Sequence, residues 1–307
     1  MKVAVIQMNS AKSIEKNLRD AHLYVQEAAK KGARMVVLPE MFLCMGVKNQ
    51  SDLARQFFPS ASFGKNKLGK GRLGKNSHGK TRLFEVSLAE NSLEKDSLVE
   101  GELARWAREY HLYIVAGSLP YPDEEGSDKV YASSFLISPE GTTLTRYDKI
   151  HLFDVTVGDE KGSYRESDTF LPGDEPKVFQ VDDALLGMSV CYDLRFPELY
   201  QFYQAKSCNV ITVPSAFTYQ TGQKHWEILL RARAIETQSF ILAANQVGTH
   251  EDGRKTWGQS MIISPEGEIL TQVEGDKPGV ALADLDFENQ QKIQSAMPLI
   301  EHKRLLR

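Results

Sequence analysis

A repeated hairpin constrains the fold of this chain more than any other feature of its sequence. Residues 134–146 (SFLISPEGTTLTR) and 260–272 (SMIISPEGEILTQ) both predict a strand, an SPEG turn and a second strand. Each follows a predicted helix and an apolar strand, YIVAGS before the first and FILAANQ before the second. Chance similarity of two hairpins is the alternative, but the shared order of elements favours duplication. We therefore predict two similarly built halves with paired mixed sheets, rather than two independent domains.

Strands and helices alternate along the rest of the chain. VAVIQM at 3–8 predicts a buried strand, and Ser13 can cap a helix that ends at Gly32. RMVVLPE at 34–40 predicts the next strand, which completes a parallel α/β unit. The second half repeats the alternation, with predicted strands at 185–193, 209–217 and 279–286 and predicted helices at 196–206 and 225–238.

The composition excludes several classes of protein. With 41% hydrophobic residues and a formal net charge of −4, the chain shows no global preference for nucleic acid or an anionic membrane. We find no signal peptide and no stretch apolar enough to span a bilayer. Three widely spaced cysteines fit a reducing cytoplasm, and CxxC and HExxH patterns are missing. We therefore expect a cytoplasmic protein with no metal and no other cofactor.

Residues 74–81, GKNSHGKT, formally match the phosphate-binding loop of nucleotide triphosphatases. A working loop follows a buried strand and opens a helix, but SASFGKNKLGKGRL before it is no strand and RLFEVSLAENS after it has no clear helical face. The same region nearly matches the pattern twice more, because it is rich in glycine and lysine. We therefore predict a basic insertion at about 60–84, near the pocket mouth or a subunit interface, and no nucleotide site.

Three residues at predicted strand ends have side chains suited to acyl transfer: Glu40 after MVVLP, Lys149 in TRYDKIHLFD and Cys191 after GMSV. Sites in open α/β folds form at the carboxyl ends of strands. A cysteine on a tight strand-to-helix turn can act as a nucleophile, a carboxylate can move its proton, and an ammonium can stabilise an oxyanion. Singly, each has a structural alternative as a core cysteine, a helix cap or a solvated charge. Together they favour one site.

The chain resembles the nitrilase, or carbon–nitrogen hydrolase, superfamily. The matching segments come in the family's order and cover nearly the whole chain apart from the insertion and the last residues: VVLPEMF (36–42), RYDKIHLFD (146–154), YRESDTFLPG (164–173), VCYDLRFPELY (190–200) and PSAFTYQTGQKHWEILLRARAIETQ (214–238). The resemblance implies a four-layer α-β-β-α sandwich with two mixed sheets, assembled as a homodimer or higher homo-oligomer. We place the hydrolase domain at 1–286 and expect residues 287–307 to form an extended C-terminal arm.

The resemblance also implies roles for the residues at matching positions. Cys191 would be the nucleophile, Glu40 the general base and Lys149 the oxyanion-stabilising residue. Glu166, in RES, would match the family's second glutamate, which holds the lysine and helps to position substrate. The backbone N–H of Tyr192 would complete the oxyanion site. Without a cofactor, such a site would convert an amide through a thioester to a carboxylic acid and ammonia.

RFPELY after the cysteine and PSAFTYQTGQKHWE are most similar to the deaminated-glutathione amidases and the neighbouring omega-amidases. The expected substrate is therefore a small carboxylate-bearing amide like deaminated glutathione. The alternatives are an omega-amidase acting on α-keto acid amides and a hydrolase of another amide or nitrile. Arg195 can bind a substrate carboxylate, or form a salt bridge with Glu198. Phe217 can form a wall of the pocket, or serve packing alone.

Two other interpretations stay open at this point. A Cys–His hydrolase would use His151 or His225 as its base, and sequence position excludes neither. A binding or regulatory module can also be built on a hydrolase fold. The presence of Glu40, Lys149 and Cys191 argues against that second interpretation.

Overall fold

The computed structural model describes residues 1–58, 98–123, 127–156 and 162–305. The predicted basic insertion at about 60–84, with its GKNSHGKT stretch, lies outside these ranges. Within them, no helix combines the length and the apolar character that crossing a membrane requires.

Strands and helices alternate in both halves of the chain. The first half contains β1 (Lys2–Gln7), α1 (Ile14–Lys30), β2 (Met35–Val37), α2 (Gln50–Phe57), α3 (Leu98–Tyr110), β3 (Tyr113–Pro122), β4 (Val130–Ile137) and β5 (Thr143–Asp148). A connecting segment contains β6 (Asp154–Thr156), β7 (Ser163–Arg165), a 3₁₀ helix (Glu166–Asp168) and β8 (Phe170–Leu171). The second half contains β9 (Val178–Val181), β10 (Ala184–Met188), a 3₁₀ helix (Cys191–Arg195), α4 (Pro197–Ala205), β11 (Val210–Thr212), α5 (Tyr219–Thr237), β12 (Phe240–Ala243), β13 (Val247–Thr249), β14 (Lys255–Trp257), β15 (Met261–Ile263), β16 (Ile269–Gln272), β17 (Gly279–Asp284), α6 (Phe287–Ala296) and α7 (Leu299–His302).

Two mixed sheets have the same internal order. The first runs β17-β1-β2-β3-β4-β5, with β8 beside β4, and the second runs β16-β15-β12-β11-β10-β9. In the first sheet, β1, β2 and β3 are parallel and lead into the antiparallel hairpin β4–β5. In the second, β10, β11 and β12 are parallel and lead into the antiparallel hairpin β15–β16. The prediction of two similarly built halves is confirmed.

The two SPEG turns are alike in structure as well as in sequence. The amides of Gly141 and Gly267 each donate to the carbonyl of their turn's serine, at 2.8 and 2.9 Å. Both glycines have a positive φ, 78° and 80°, which other residues rarely adopt. A Cβ at Gly141 would lie 2.8 Å from the Ala104 carbonyl oxygen of α3, and one at Gly267 would lie 2.7 Å from Ile235 of α5. Each turn therefore packs closely against a helix of its own half.

Alternation along the central strands separates two cores. In β1, Val3 and Val5 belong to the cluster shared with the second sheet, whereas Ala4 and Ile6 pack with α1 and α3. Full burial of a valine or isoleucine side chain contributes about 1.5–3 kcal/mol to the free energy of unfolding. Helices α4 and α5 cover the other face of the second sheet. The architecture is the predicted four-layer α-β-β-α sandwich.

The C-terminal segment differs from the predicted extended arm, because it begins with helix α6. The side chain of Asp286 caps this helix by accepting the Asn289 amide at 2.9 Å. Gln290 is buried and donates to the carbonyls of Asn209 and Gln238, at 3.0 and 2.8 Å. The helix is therefore docked on the second half. Its polar composition concealed this packing, since bonds to backbone carbonyls leave no apolar pattern in a sequence.

Candidate active site

Cys191 lies in a sharp turn shortly after the end of β10. Its amide donates to the Pro214 carbonyl at 2.9 Å. The pairing between β10 and β11 therefore continues into the segments that follow these two strands. Cys191 then adopts a left-handed conformation, with φ 50°, and begins the 3₁₀ helix that ends at Arg195. Such a conformation is strained for a residue with a side chain and persists because its surroundings hold it. The thiol, 8% exposed, lines a cavity.

Asp193, which the sequence analysis did not single out, holds this turn. It is fully buried, and its Oδ2 accepts the Val190 amide at 2.8 Å and the Tyr147 hydroxyl at 2.7 Å. Its Oδ1 accepts the His151 amide at 3.0 Å and lies 2.7 Å from Nδ1 of the same residue. One carboxylate thus ties the residue before the cysteine to the segment after β5. Its place two residues after a candidate nucleophile was the only signal in the sequence.

Two strand ends of the first sheet bring a buried ion cluster to the cysteine. Lys149 follows β5, is 1% exposed, and donates from Nζ to Glu40 Oε1 and Glu166 Oε1, both at 2.9 Å. The other Glu40 oxygen accepts the Ala216 amide at 2.8 Å, and the charge of this carboxylate helps to raise the pKa of the Cys191 thiol. The structure therefore brings together Glu40, Lys149, Glu166 and Cys191.

Burial and mutual charge set the protonation of this cluster. Burial raises the pKa of the Cys191 thiol well above its usual value, Glu40 adds to the rise, and Lys149 opposes it. Burial disfavours the Lys149 ammonium, but Glu166 and Glu40 outweigh it and hold its pKa well above normal. Burial also raises the pKa of Glu166 against the opposing charge of Lys149. At neutral pH the cluster therefore contains a protonated thiol and an ammonium, and the thiol needs a base before it can attack.

The cluster opens into a cavity of about 1080 Å³ between the loops that follow the strand ends. Glu40, Lys149, Glu166 and Cys191 all line it. Such a volume is at the upper end of ordinary small-molecule sites. The ring of Phe217, predicted as a wall, also lines the cavity, as does Tyr192. Tyr192 is in the first turn of the 3₁₀ helix, where amides have no partner within the helix.

Arg195 is not among the residues that line this cavity. Its guanidinium lies over the rings of Phe217 and Tyr192, 5.2 and 5.8 Å from their centroids. Its Nη1 lies 3.2 Å from His225 Nδ1, and within the described ranges no ion pair joins it to Glu198. Burial lowers the pKa of Arg195. Binding of a substrate carboxylate by this residue stays a prediction.

The two histidines considered as alternative bases have other partners. His151 pairs with Asp193 and stacks on Phe196, with ring centroids 3.7 Å apart. His225 lies beside Arg195, and burial lowers its pKa. No histidine is found among the described residues that line the cavity. The geometry therefore favours Glu40 as the partner of the thiol.

Buried amides from the second half fix the loops around the cavity. Gln246 donates to the Glu40 carbonyl at 3.0 Å and to the Ser10 hydroxyl at 2.8 Å. Its neighbour Asn245 accepts the Phe217 amide at 3.0 Å. Both side chains are fully buried, so they hold the carboxylate loop and the aromatic wall in fixed positions. Both belong to the NQ stretch of FILAANQ, to which the sequence analysis assigned no role at the site.

A group of cations at the cavity also escaped the sequence analysis. Apart from Lys149, the described basic residues that line the cavity are Lys48, Arg165, Arg254 and Lys255. Among the described residues, Asp252 is the acidic lining residue outside the buried cluster, and it lies 3.7 Å from Arg254. The described lining residues outside the buried cluster therefore carry a net positive charge, which favours an anionic ligand.

The remaining cysteines lie in the core. Cys44 and Cys208 are buried and unpaired, and burial raises the pKa of each thiol to about 12. They do not line the cavity. In the part of the chain that the structure describes, no cluster of three or more His, Cys, Asp or Glu residues could hold a metal ion.

The comparison with protein families agrees with this fold and this cluster of side chains. Residues 2–294 match the carbon–nitrogen hydrolase family, and the chain belongs to that family. It is a hydrolase that acts on carbon–nitrogen bonds. The predicted family resemblance is thereby confirmed.

The curated relatives are amidases. The deaminated glutathione amidase of Yersinia enterocolitica is 44% identical over 208 residues, which are 68% of this chain and 72% of the relative. The deaminated glutathione amidase of Synechocystis is 34% identical over 98% of this chain and 97% of its own length. The omega-amidase NIT2 of Xenopus tropicalis is 32% identical over 99% of this chain and 95% of its own length. These are the two branches that the sequence indicated.

Solved structures share the fold. The NitFhit protein of C. elegans aligns with a TM-score of 0.78 and 28% identity over 99% of this chain, which spans 65% of the NitFhit chain. Nit3 of Saccharomyces cerevisiae, a member of branch 10 of the nitrilase superfamily, aligns with a TM-score of 0.75 and 25% identity over 97% of this chain and 94% of its own.

Proposed function

We propose that this protein hydrolyses a small carboxylate-bearing amide of the deaminated-glutathione type through a thioester on Cys191. The observation that carries the proposal is the cluster at the cavity wall in which Lys149 donates to Glu40 and the Glu40 charge acts on the Cys191 thiol. A thiol, a base and a fixed ammonium are the groups that acyl transfer needs at one point.

In the first half-reaction, Glu40 takes the thiol proton while the sulfur of Cys191 forms a bond to the amide carbon. The charge that develops on the amide oxygen is stabilised by the ammonium of Lys149 and the backbone N–H of Tyr192. Glu40 then gives the proton to the departing nitrogen, and the C–N bond breaks. The products are an amine, which is ammonia for a primary amide, and a thioester.

In the second half-reaction, Glu40 removes a proton from water, and the oxygen attacks the thioester carbon. The C–S bond breaks, the sulfur regains the proton, and a carboxylic acid leaves. Glu166 holds Lys149 from the other side, so the ammonium keeps its place while Glu40 changes protonation. Because Lys149 bonds to both carboxylates, its position does not depend on Glu40 alone.

The net positive charge of the described lining residues outside the buried cluster supports an anionic substrate, and the names of the relatives indicate two kinds. One deaminated glutathione amidase matches with 44% identity, and one omega-amidase matches with 32% identity over nearly the full chain. The volume of about 1080 Å³ has room for either kind of substrate. Omega-amidase activity on α-keto acid amides is the second candidate, supported by that nearly full-length match.

A screen of amide hydrolysis tests the proposal, with Cys191→Ala as the blank. Purified protein is offered deaminated glutathione, α-keto acid ω-amides, simple amides and nitriles, and release of amine and acid is measured. We expect turnover of carboxylate-bearing amides and none with the blank. The proposal fails if no amide or nitrile is hydrolysed. Thiol alkylation supplies a control. It should inactivate Cys44→Ala and Cys208→Ala as it inactivates the parent protein, because both variants retain Cys191.

Arg195 is tested on the same substrates. If its guanidinium binds the substrate carboxylate, Arg195→Lys raises KM for a carboxylate-bearing amide, because a lysine loses the bidentate geometry. An unchanged KM contradicts this role. In that case the residue serves to support the rings of Phe217 and Tyr192.

We further propose that the chain forms a homodimer or higher homo-oligomer. Helix α5 exposes Ile228 at 69%, and Ile235, one side of which packs against the turn at Gly267, is still 49% exposed. Apolar groups exposed in this way are typical of an interaction surface. Sedimentation velocity should show an oligomer that Ile228→Lys dissociates. A monomeric parent protein would contradict the proposal.

A further inference from the structure

Resting on the function proposed above, we propose that Arg254 binds the substrate carboxylate at the part of the cavity remote from Cys191. This assigns a specificity-determining residue that lies outside the buried cluster of Glu40, Lys149 and Glu166. Four features carry the inference: a rigid turn, an incompletely satisfied guanidinium, an aromatic wall and the positions of the competing cations.

A rigid turn places Arg254 at the cavity. It lies between β13 and β14, where the His250 amide donates to the Arg254 carbonyl at 2.8 Å and the Gly253 amide donates to the His250 carbonyl at 2.9 Å. His250 is itself buried, with Nδ1 3.1 Å from the Ser10 carbonyl and Nε2 2.7 Å from the Thr256 hydroxyl. The base of the side chain is therefore fixed, which suits a residue that must meet a ligand in one geometry.

The guanidinium of Arg254 has unused hydrogen-bonding capacity. Its side chain is 18% exposed, and its Nε is buried with no hydrogen-bond partner among the described residues. Asp252 is its charged neighbour, but the 3.7 Å between Arg254 Nη2 and Asp252 Oδ2 is too long for a hydrogen bond. A buried donor left unpaired is unfavourable, and a carboxylate arriving from the cavity would satisfy it.

An aromatic wall connects Arg254 with the reacting end of the cavity. The wall consists of Tyr164, Phe153 and Tyr192, all of which line the cavity. The Arg254 guanidinium lies 5.7 Å from the ring centroid of Tyr164. Successive rings are then 5.2 and 5.0 Å apart, and the last belongs to the residue after Cys191. An extended amide can therefore lie along this wall with its carbonyl at the thiol and its carboxylate at Arg254.

The other cations at the cavity are less suited to this role. Lys48, Arg165 and Lys255 are exposed, so water already solvates them and a ligand gains little by replacing it. Lys149 is held between two carboxylates. Arg254 combines partial burial, a fixed backbone and a planar fork that matches a carboxylate.

Two matched amides test the inference, one ending in a carboxylate and the other in a neutral carboxamide at the same atom. For Arg254→Gln, kcat/KM for the acid should fall by about 10- to 100-fold, mainly through KM, as expected for loss of a charge-assisted bond. The neutral amide should change by less than about threefold, and Arg254→Lys should restore part of the loss. Arg105→Gln, on the outer helix α3, is the arginine control and should leave kcat/KM for both amides unchanged.

Direct binding separates this inference from the proposed function. In the Cys191→Ala background, calorimetry should show that Arg254→Gln weakens binding of the acid by a similar factor but leaves binding of the neutral amide unchanged. Equal losses for both amides, or no loss for the acid, overturn the role of Arg254. If the parent protein turns over neither amide while the binding difference persists, the proposed function fails and the carboxylate site stands.

Discussion

Replacing Asp193 by asparagine should destabilise the protein although the two side chains have nearly the same shape. Each of the two carboxylate oxygens of Asp193 has two hydrogen-bonding contacts, and the residue is fully buried. In Asp193→Asn one oxygen becomes an NH₂ group. Whichever way the amide is oriented, this group faces a backbone N–H, that of Val190 or that of His151.

The expected loss follows from that count. One charge-assisted hydrogen bond disappears, and one buried backbone donor is left unpaired. Together these lower the free energy of unfolding by about 2–4 kcal/mol. Tyr147→Phe, which removes a single hydroxyl donor from the same carboxylate, should cost less, about 1–2 kcal/mol. Because Val190 precedes Cys191, amide hydrolysis by Asp193→Asn should also fall.

Urea unfolding, followed by circular dichroism, measures the stability of both variants. The rate of amide hydrolysis reports whether the turn at Cys191 keeps its active conformation. Equal m-values would show that the comparison concerns the folded state. If Asp193→Asn unfolds within about 0.5 kcal/mol of the parent protein, the carboxylate does not hold the turn and the reasoning is refuted. A loss smaller than that of Tyr147→Phe would contradict it as well.

Three further predictions follow from single contacts. A Cβ at Gly117 would lie 1.9 Å from the Pro39 carbonyl oxygen, so Gly117→Ala should displace the residue before Glu40. Urea unfolding should show a loss of more than about 3 kcal/mol in the free energy of unfolding, and amidase activity should be lost. Stability and activity near those of the parent protein would contradict this prediction. Burial raises the pKa of Cys44 to about 12, above that of an unfolded thiol near 8.5, so its stabilising contribution is complete below pH about 8.5 and is lost as pH rises to 12. Urea unfolding at pH 8 and pH 10 should show a smaller decrease for Cys44→Ala than for the parent, and equal decreases contradict the burial effect. His151→Gln should lower kcat less than tenfold, whereas a loss of about 10²–10⁴ would identify it as the base.

Residues at strand ends were predictable from the sequence because their positions follow from the sheet. Glu40 follows a parallel strand of the first sheet and Cys191 follows a parallel strand of the second, and sites in α/β folds form at the carboxyl ends of such strands. The paired SPEG hairpins likewise predicted the two matching sheets. Glu166 and its contact with Lys149 needed the family resemblance, since no periodic pattern marks a short 3₁₀ helix.

The supporting polar contacts were not predictable in this way. Gln246 meets Glu40 across 206 residues of chain, and a contact between a side-chain amide and a backbone carbonyl leaves no pattern in composition or spacing. The same holds for Asp193 and for Gln290. Arg195 was chosen for its closeness to Cys191 along the chain, but the backbone turn takes its guanidinium behind Phe217. Arg254 is far from Cys191 along the chain, and only the folded structure shows that it lines the cavity.

The thioester on Cys191 is the central claim, and mass spectrometry of the acylated enzyme tests it most directly. An activated aryl ester of the substrate acid makes acylation faster than hydrolysis of the intermediate, so the intermediate accumulates before an acid quench. We predict that the mass of the protein rises by one acyl group, located on the peptide that contains Cys191, and that Cys191→Ala acquires none. Acylation confined to Cys44, Cys208 or a non-cysteine residue, or hydrolysis by Cys191→Ala at the parental rate, would contradict the claim.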